Sequence, residues 1–127
     1  MNDVLVVDDD AGVRQFLKAA LARYRLPFRV AVNGARALEA AVAAWPTVVL
    51  LDLGLPDADG WAVWDRLSAV AAGRALRVVL LSGESGPAVE ANVRARGGLG
   101  VLRKPIRPDR LAALLLPHFE EDARRAG

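Results

Sequence analysis

The chain has 127 residues, a net charge of +2, 54% hydrophobic residues and no cysteine. That length makes one domain with room for its own core, and the absence of cysteine excludes a disulfide framework and any thiolate metal site. No apolar run approaches the roughly 18 residues of a membrane span, no signal peptide is legible at the N-terminus, and the basic residues, mostly arginine, are scattered as on a solvated surface rather than blocked for nucleic acid. The expected setting is therefore cytoplasmic, with no membrane and no direct nucleic-acid partner.

In chain order, residues 3–7 read as a strand buried on both faces, ending at Asp8, Asp9 and Asp10. Val13, Phe16, Leu17, Ala20 and Leu21 then recur at helical spacing over residues 11–24, with Asp9 or Asp10 placed to cap the helix. Pro27 breaks the chain before a strand over 28–32, and Asn33-Gly34 turns it into an Ala- and Leu-rich helix over 35–44 that Trp45-Pro46 ends. The strand over 47–51 runs into Asp52 and a loop carrying Gly54, Pro56 and Gly60. A helix over 61–72 stops at Gly73, a strand over 75–81 ends at Ser82-Gly83, and Pro87 opens a helix to Arg96. A strand over 99–103 ends at Lys104-Pro105, and Asp109 caps a last helix expected to reach Leu116, where Pro117 ends or kinks it. Residues 1–119 are expected to form the domain and 120–127 a short, frayed polar tail.

Five strands alternating with five helices predict an α/β fold with a parallel sheet covered on both faces. Such sheets carry their functional edge at the carboxyl ends of the strands. Asp8 and Asp9, Asp52, Ser82 and Lys104 all fall there. A lone Asp at a strand end is as easily a turn residue, but three converging carboxylates repel one another and raise at least one pKa unless a cation intervenes. An all-oxygen donor set favours Mg2+ over Zn2+. With a hydroxyl and an ammonium opposite, the set suits phosphoryl transfer to a carboxylate nucleophile, chemistry that is mostly positioning and charge neutralisation.

The motifs Val6-Val7-Asp8-Asp9, Leu50-Leu51-Asp52 through Pro56 to Gly60, Leu80-Leu81-Ser82-Gly83 and Lys104-Pro105 resemble the receiver domain of two-component response regulators, over residues 3–116. The resemblance implies a flavodoxin-like, doubly wound sheet of strand order 2-1-3-4-5. It implies that Asp52 accepts phosphate from a sensor histidine kinase or a histidine phosphotransfer protein. Asp9 directly, Asp8 often through water, Asp52 and the Gly54 backbone carbonyl would hold Mg2+. Ser82 and Lys104 would bind the phosphoryl oxygens, with a cis bond before Pro105. Such a domain is a switch that catalyses its own phosphorylation and dephosphorylation rather than a turnover enzyme, either as a single-domain regulator or as part of a longer one.

Two departures bear on signalling. Val101 stands where the family often carries Tyr or Phe, so the inward swing of an aromatic ring is not expected, and the response is assigned to the loop after Ser82 and the face formed by the fourth helix, fifth strand and fifth helix, which is also a candidate homodimer face. Gly54 and Glu84 are expected to tune hydrolysis of the acyl phosphate. Among rivals, a Mg2+-dependent phosphatase needs a second acid two residues after the nucleophile, where Gly54 stands, and a degenerate receiver acting as a phosphorylation-independent interaction module is kept open by Val101. A nucleotide binder lacks its glycine-rich loop after the first strand. Asp10, Asp57 and Asp59 are expected as caps or turn residues, Trp61 and Trp64 as packing, His118 as a surface or packing residue, and Arg103 as a candidate partner contact.

Overall fold

The computed structural model describes residues 2–83 and 86–126. Strands β1 (Val4–Val7), β2 (Phe28–Ala31), β3 (Val48–Asp52), β4 (Val78–Ser82) and β5 (Gly100–Arg103) alternate with helices α1 (Ala11–Arg23), α2 (Gly34–Ala43), α3 (Gly60–Val70), α4 (Pro87–Ala95) and α5 (Pro108–Ala126). The strands form one parallel sheet in the order β2-β1-β3-β4-β5, as expected.

The strands β1, β3 and β4 are buried along their whole length because both faces are covered. Alternate side chains therefore feed two cores. Val4, Val6, Leu50 and Leu81 pack with Leu17 and Leu21 of α1 and Leu111 and Leu115 of α5. Leu5, Val7, Leu51 and Leu80 pack with Ala37 and Ala41 of α2, Val63, Trp64 and Leu67 of α3, and Val93 of α4. Each fully buried Leu or Val contributes about 1.5–3 kcal/mol relative to exposure, so the sheet is the rigid base on which the strand-end loops sit.

Local chemistry starts the first three helices. Asp10, Asn33 and Asp59 each accept a backbone N–H from the first turn, as N-caps. Some boundaries differ from the sequence reading. The fourth strand begins at Val78 rather than at residue 75; the Ala75 carbonyl accepts the Trp45 indole N–H at 2.8 Å and so is committed to a side chain instead of a ladder. The third helix stops at Val70, because Ala72 and Gly73 take left-handed φ of 53° and 82°.

The largest difference concerns the last helix, expected to reach Leu116, to end or kink at Pro117 and to leave a frayed tail from Glu120. Instead α5 continues through Pro117 to Ala126. Pro117 and Ala113 both lie on the exposed side, so the carbonyl that loses its helical donor is open to water. Beyond the proline the helix is fastened to the amino-terminal edge of the sheet. Phe119 packs against the first core, and Asp122 accepts the Thr47 hydroxyl at 2.8 Å and an Arg77 N–H at 3.1 Å. Arg77 in turn donates to the Thr47 carbonyl. An Asp122→Ala substitution is expected to speed amide hydrogen exchange in residues 118–126 by roughly tenfold while leaving the strand amides protected; mass-spectrometric exchange reads both regions in one sample.

Candidate functional site

The register of the sheet decides which strand ends meet. Val7 pairs with Leu51 across β1 and β3, so the following residues, Asp8 and Asp52, emerge side by side. Asp52 pairs with Leu81, which places Ser82 one step beyond, and Ser82 pairs with Arg103, which places Lys104 next. The backbone then closes the edge: the Lys104 N–H donates to the Ser82 carbonyl at 2.8 Å, and the Leu53 N–H to the Leu81 carbonyl at 3.3 Å.

The side chains gather accordingly. Carboxylate oxygens of Asp8, Asp9 and Asp52 lie within 4.8 Å of one another. The Lys104 ammonium sits among them, 3.0 Å from Asp52 Oδ1 and 3.2 Å from Asp8 Oδ2. Asp8, Ser82 and Asp52 are buried, and Asp9 is exposed. The Asp10 N–H donates to Asp8 Oδ1 at 2.9 Å, whereas the buried Asp8 Oδ2 has no hydrogen bond of good geometry and only the ammonium for company.

Electrostatics follow from this geometry. Burial pushes the Asp8 carboxyl above its ordinary value, the Asp10 N–H opposes, the Asp52 charge adds to the rise and Lys104 offsets part of it. For Lys104, burial works against the charge, but its bonds to Asp52 and Asp8 outweigh it and hold the ammonium above its ordinary value. A buried carboxylate oxygen without a hydrogen bond, in an all-oxygen cluster, is a fit for a hard divalent cation such as Mg2+.

The loop after Asp52 is shaped around the pocket. The Gly60 N–H donates to the Leu53 carbonyl at 2.8 Å. A Cβ at Gly60 would stand 2.7 Å from the Asp52 carbonyl oxygen and 2.8 Å from Leu53 Cα, so only glycine lets α3 start this close to the strand end. Asp57 reaches out of the same loop to accept the N–H groups of Gly34 and Ala35, at 2.8 and 3.1 Å. It caps α2 from a distance, and those N–H groups hold its carboxyl below the usual range. Asp10, capping α1, is lowered for the same reason through the Val13 N–H.

The remaining candidates fall into place around this centre. Gly54 is exposed, bridges to Asp59, and has nothing within 4 Å of where a Cβ would stand. Glu84 lies outside the described residues. The Lys104–Pro105 bond is cis. Val101 is half-buried in β5, packed against the second core. Trp61 and Trp64 stack at 6.0 Å, Trp64 in the core, with the Arg96 guanidinium over both rings and bonded to Asp65. His118 lies half-buried on α5, far along the chain from these residues, with Nδ1 3.9 Å from Glu121. Sequence reasoning did not foresee the long-range cap made by Asp57 or the arginine clasp on the tryptophans; each depends on a contact between distant segments, and only the Asp-Pro-Gly character of the loop hinted at the first.

This is a doubly wound α/β domain built around an acidic, cation-competent edge in place of a glycine-rich nucleotide loop. The chain belongs to the response regulator receiver domain family, which matches residues 4–116, and the domain is the receiver of a two-component response regulator, a signalling switch rather than a classical enzyme. It is 31% identical over 121 residues to the DNA-binding transcriptional regulator NtrC of Escherichia coli K12, covering 93% of this chain and 25% of that protein. It is 36% identical over 104 residues to protein-glutamate methylesterase/protein-glutamine glutaminase 1 of Anaeromyxobacter dehalogenans, covering 80% of this chain and 29% of that one. The chain thus spans little more than a quarter of these relatives. Among solved structures, chemotaxis response regulator CheY4 of Vibrio cholerae superposes with a TM-score of 0.82 at 26% identity, covering 93% of this chain and 98% of that one.

The cost of the buried acid is measurable. In metal-free protein, Asp8→Asn is expected to raise the thermal midpoint by a few degrees at neutral pH, since the amide keeps an oxygen for the Asp10 N–H and drops the desolvated charge. Because the folded pKa of Asp8 lies above its unfolded value, the wild type loses stability relative to the variant as pH rises from the ordinary carboxylate value through the raised one. Thermal melts in a chelator across that range check both sign and direction.

Proposed function

We propose that this domain is a phosphoacceptor switch in which Asp52 takes a phosphoryl group from a phosphohistidine on a sensor histidine kinase or a histidine phosphotransfer protein. The observation that carries the reading is the convergence of Asp52 with Asp8, Asp9 and Lys104 at one sheet edge. The Asp52 carboxylate attacks phosphorus in line, the P–N bond of the donor breaks, its electron pair returns to the imidazole, and an acyl phosphate remains on Asp52.

Each neighbour has a task in that step. Lys104, already 3.0 Å from Asp52 Oδ1, keeps its charge and is positioned to pair with a phosphoryl oxygen once the carboxylate is esterified. Ser82, beside Asp52 on the next strand, supplies a hydroxyl to another phosphoryl oxygen. Asp8, Asp9, Asp52 and the Gly54 carbonyl are the groups that would hold Mg2+, which neutralises charge on the transferred oxygens when bound. The open space at Gly54 leaves the acyl phosphate accessible to water, so Gly54 tunes its lifetime. Glu84 is assigned the same task from its place in the sequence.

Two measurements check this. Intact mass after incubation with Mg2+ and a small acyl-phosphate donor is expected to show one added phosphoryl group in the wild type, none in Asp52→Asn, and a strongly reduced yield without Mg2+; an equal gain in the variant would remove Asp52 as acceptor. Separately, added Mg2+ is expected to raise the thermal midpoint in a concentration-dependent way, by the equivalent of about 2.7 kcal/mol at a hundred times Kd, and Asp9→Ala is expected to blunt that rise while still folding, because Asp9 is exposed.

A further inference from the structure

The loop that follows Asp52 is fastened at its base to α3 and at its tip to α2. At the base, the Gly60 N–H donates to the Leu53 carbonyl at 2.8 Å, Gly54 bridges to Asp59, and Asp59 accepts the Ala62 N–H at 2.8 Å. Gly54 itself is exposed, and no atom stands within 4 Å of where its Cβ would be. Its carbonyl is therefore placed by the backbone on either side of it, without packing of its own. At the tip, Asp57 leaves the loop and accepts the consecutive N–H groups of Gly34 and Ala35, one on each carboxylate oxygen, at 2.8 and 3.1 Å. The approach is close enough to require glycine: a Cβ at Gly34 would stand 2.7 Å from Val63 Cγ2 and 3.4 Å from Asp57 Oδ1.

We infer that Asp57 is a positioning residue of the cation site: by clamping the loop to α2 it sets where the Gly54 carbonyl stands, so that Mg2+ occupancy and the first turn of α2 are coupled. The inference rests on the receiver reading, in which that carbonyl is one of the groups that would hold Mg2+. The start of α2 has a cap of its own without Asp57. Asn33 accepts the Arg36 N–H at 2.8 Å, and Asp57 takes two earlier N–H groups. Two carboxylate oxygens on two adjacent amides fix both the distance and the orientation of the loop, which a single bond does not. Coupling through such a bridge runs both ways. What orders the loop at Gly54 steadies the amides of Gly34 and Ala35, and what frees those amides loosens the loop.

The test uses the whole chain with Mg2+ alone as the probe, titrated calorimetrically. Asp57→Ala, which removes both bonds, is expected to bind Mg2+ about threefold to tenfold more weakly, the low end of what groups behind a metal ligand cost, because Asp57 is exposed. Asp57→Asn, which drops the charge but keeps an oxygen for an N–H, is expected to stay within about twofold of the wild type. Asn33→Ala, which uncaps α2 without touching the loop, is expected to lower the thermal midpoint and leave Mg2+ affinity unchanged. Saturating Mg2+ is expected to slow amide exchange at Gly34 and Ala35 in the wild type and not in Asp57→Ala. A carboxylate acting only through its charge would make Asp57→Asn as weak as Asp57→Ala, and a mere helix cap would make Asn33→Ala as weak as Asp57→Ala. Either result, an unchanged Mg2+ affinity in Asp57→Ala, no slowing in the wild type or the same slowing in both proteins would overturn the inference. Phosphoryl uptake by mass is read alongside. Mg2+ binding and uptake with no effect of Asp57→Ala defeat the coupling and leave the receiver reading standing; a wild type that neither binds Mg2+ nor takes up a phosphoryl group defeats that reading and the coupling with it.

Discussion

The structure depends on holding like charges together at the end of a rigid sheet. Asp8 and Asp52 leave adjacent parallel strands in the same register, and Asp9 follows directly, so their convergence comes with the topology. Repulsion and burial both oppose it, as the raised carboxyl of Asp8 records. Lys104, delivered by the outermost strand, answers part of that charge, and its own raised ammonium is the other side of the same balance. The buried Asp8 Oδ2, ion-paired to Lys104 but without a hydrogen bond of good geometry, is the oxygen a divalent cation would satisfy.

Stability elsewhere carries this arrangement. β1, β3 and β4 lie between two cores, which pack both faces of the strands that carry the site. The loop after Asp52 is held by short-range devices, with Gly60 letting α3 begin against the Asp52 backbone and Asp57 tying the loop to the start of α2. At the opposite edge Asp122, Thr47 and Arg77 fasten the end of α5. The pocket is therefore strained electrostatically while its supports are satisfied, which is the condition for a site whose state responds to charge.

The region between the pocket and the α4–β5–α5 surface is built differently from the rest. The start of α4 has no side-chain cap, at Gly86, whereas its end is bound to α3 through Arg96, stacked over Trp61 and Trp64 and paired with Asp65. Val101, half-buried in β5 and packed against the second core, supplies neither a ring nor a hydroxyl.

Much of this was legible from residue order because the physics involved is local. Apolar runs marked the strands, helical spacing the first helix, and caps, prolines and glycines the others, while acids, hydroxyl and lysine at strand ends marked the pocket, since a parallel sheet places all such ends on one edge. Asp10 and Asp59 read correctly as caps because a cap is made within three residues. Other features were decided only in three dimensions. Pro117 reads as ending or kinking the helix, yet with its exposed position and the distant anchor at Asp122 the helix goes on to Ala126. Asp57 reads as a cap or turn residue and is a cap, but the helix it caps, α2, lies more than twenty residues away in the chain. The residue types at the strand ends determined what chemistry this protein carries. The register of the sheet and the contacts between distant segments determined which of those groups touch and which charge is left unmatched, because pairing energies between residues far apart in the chain exist only once the fold has brought them together.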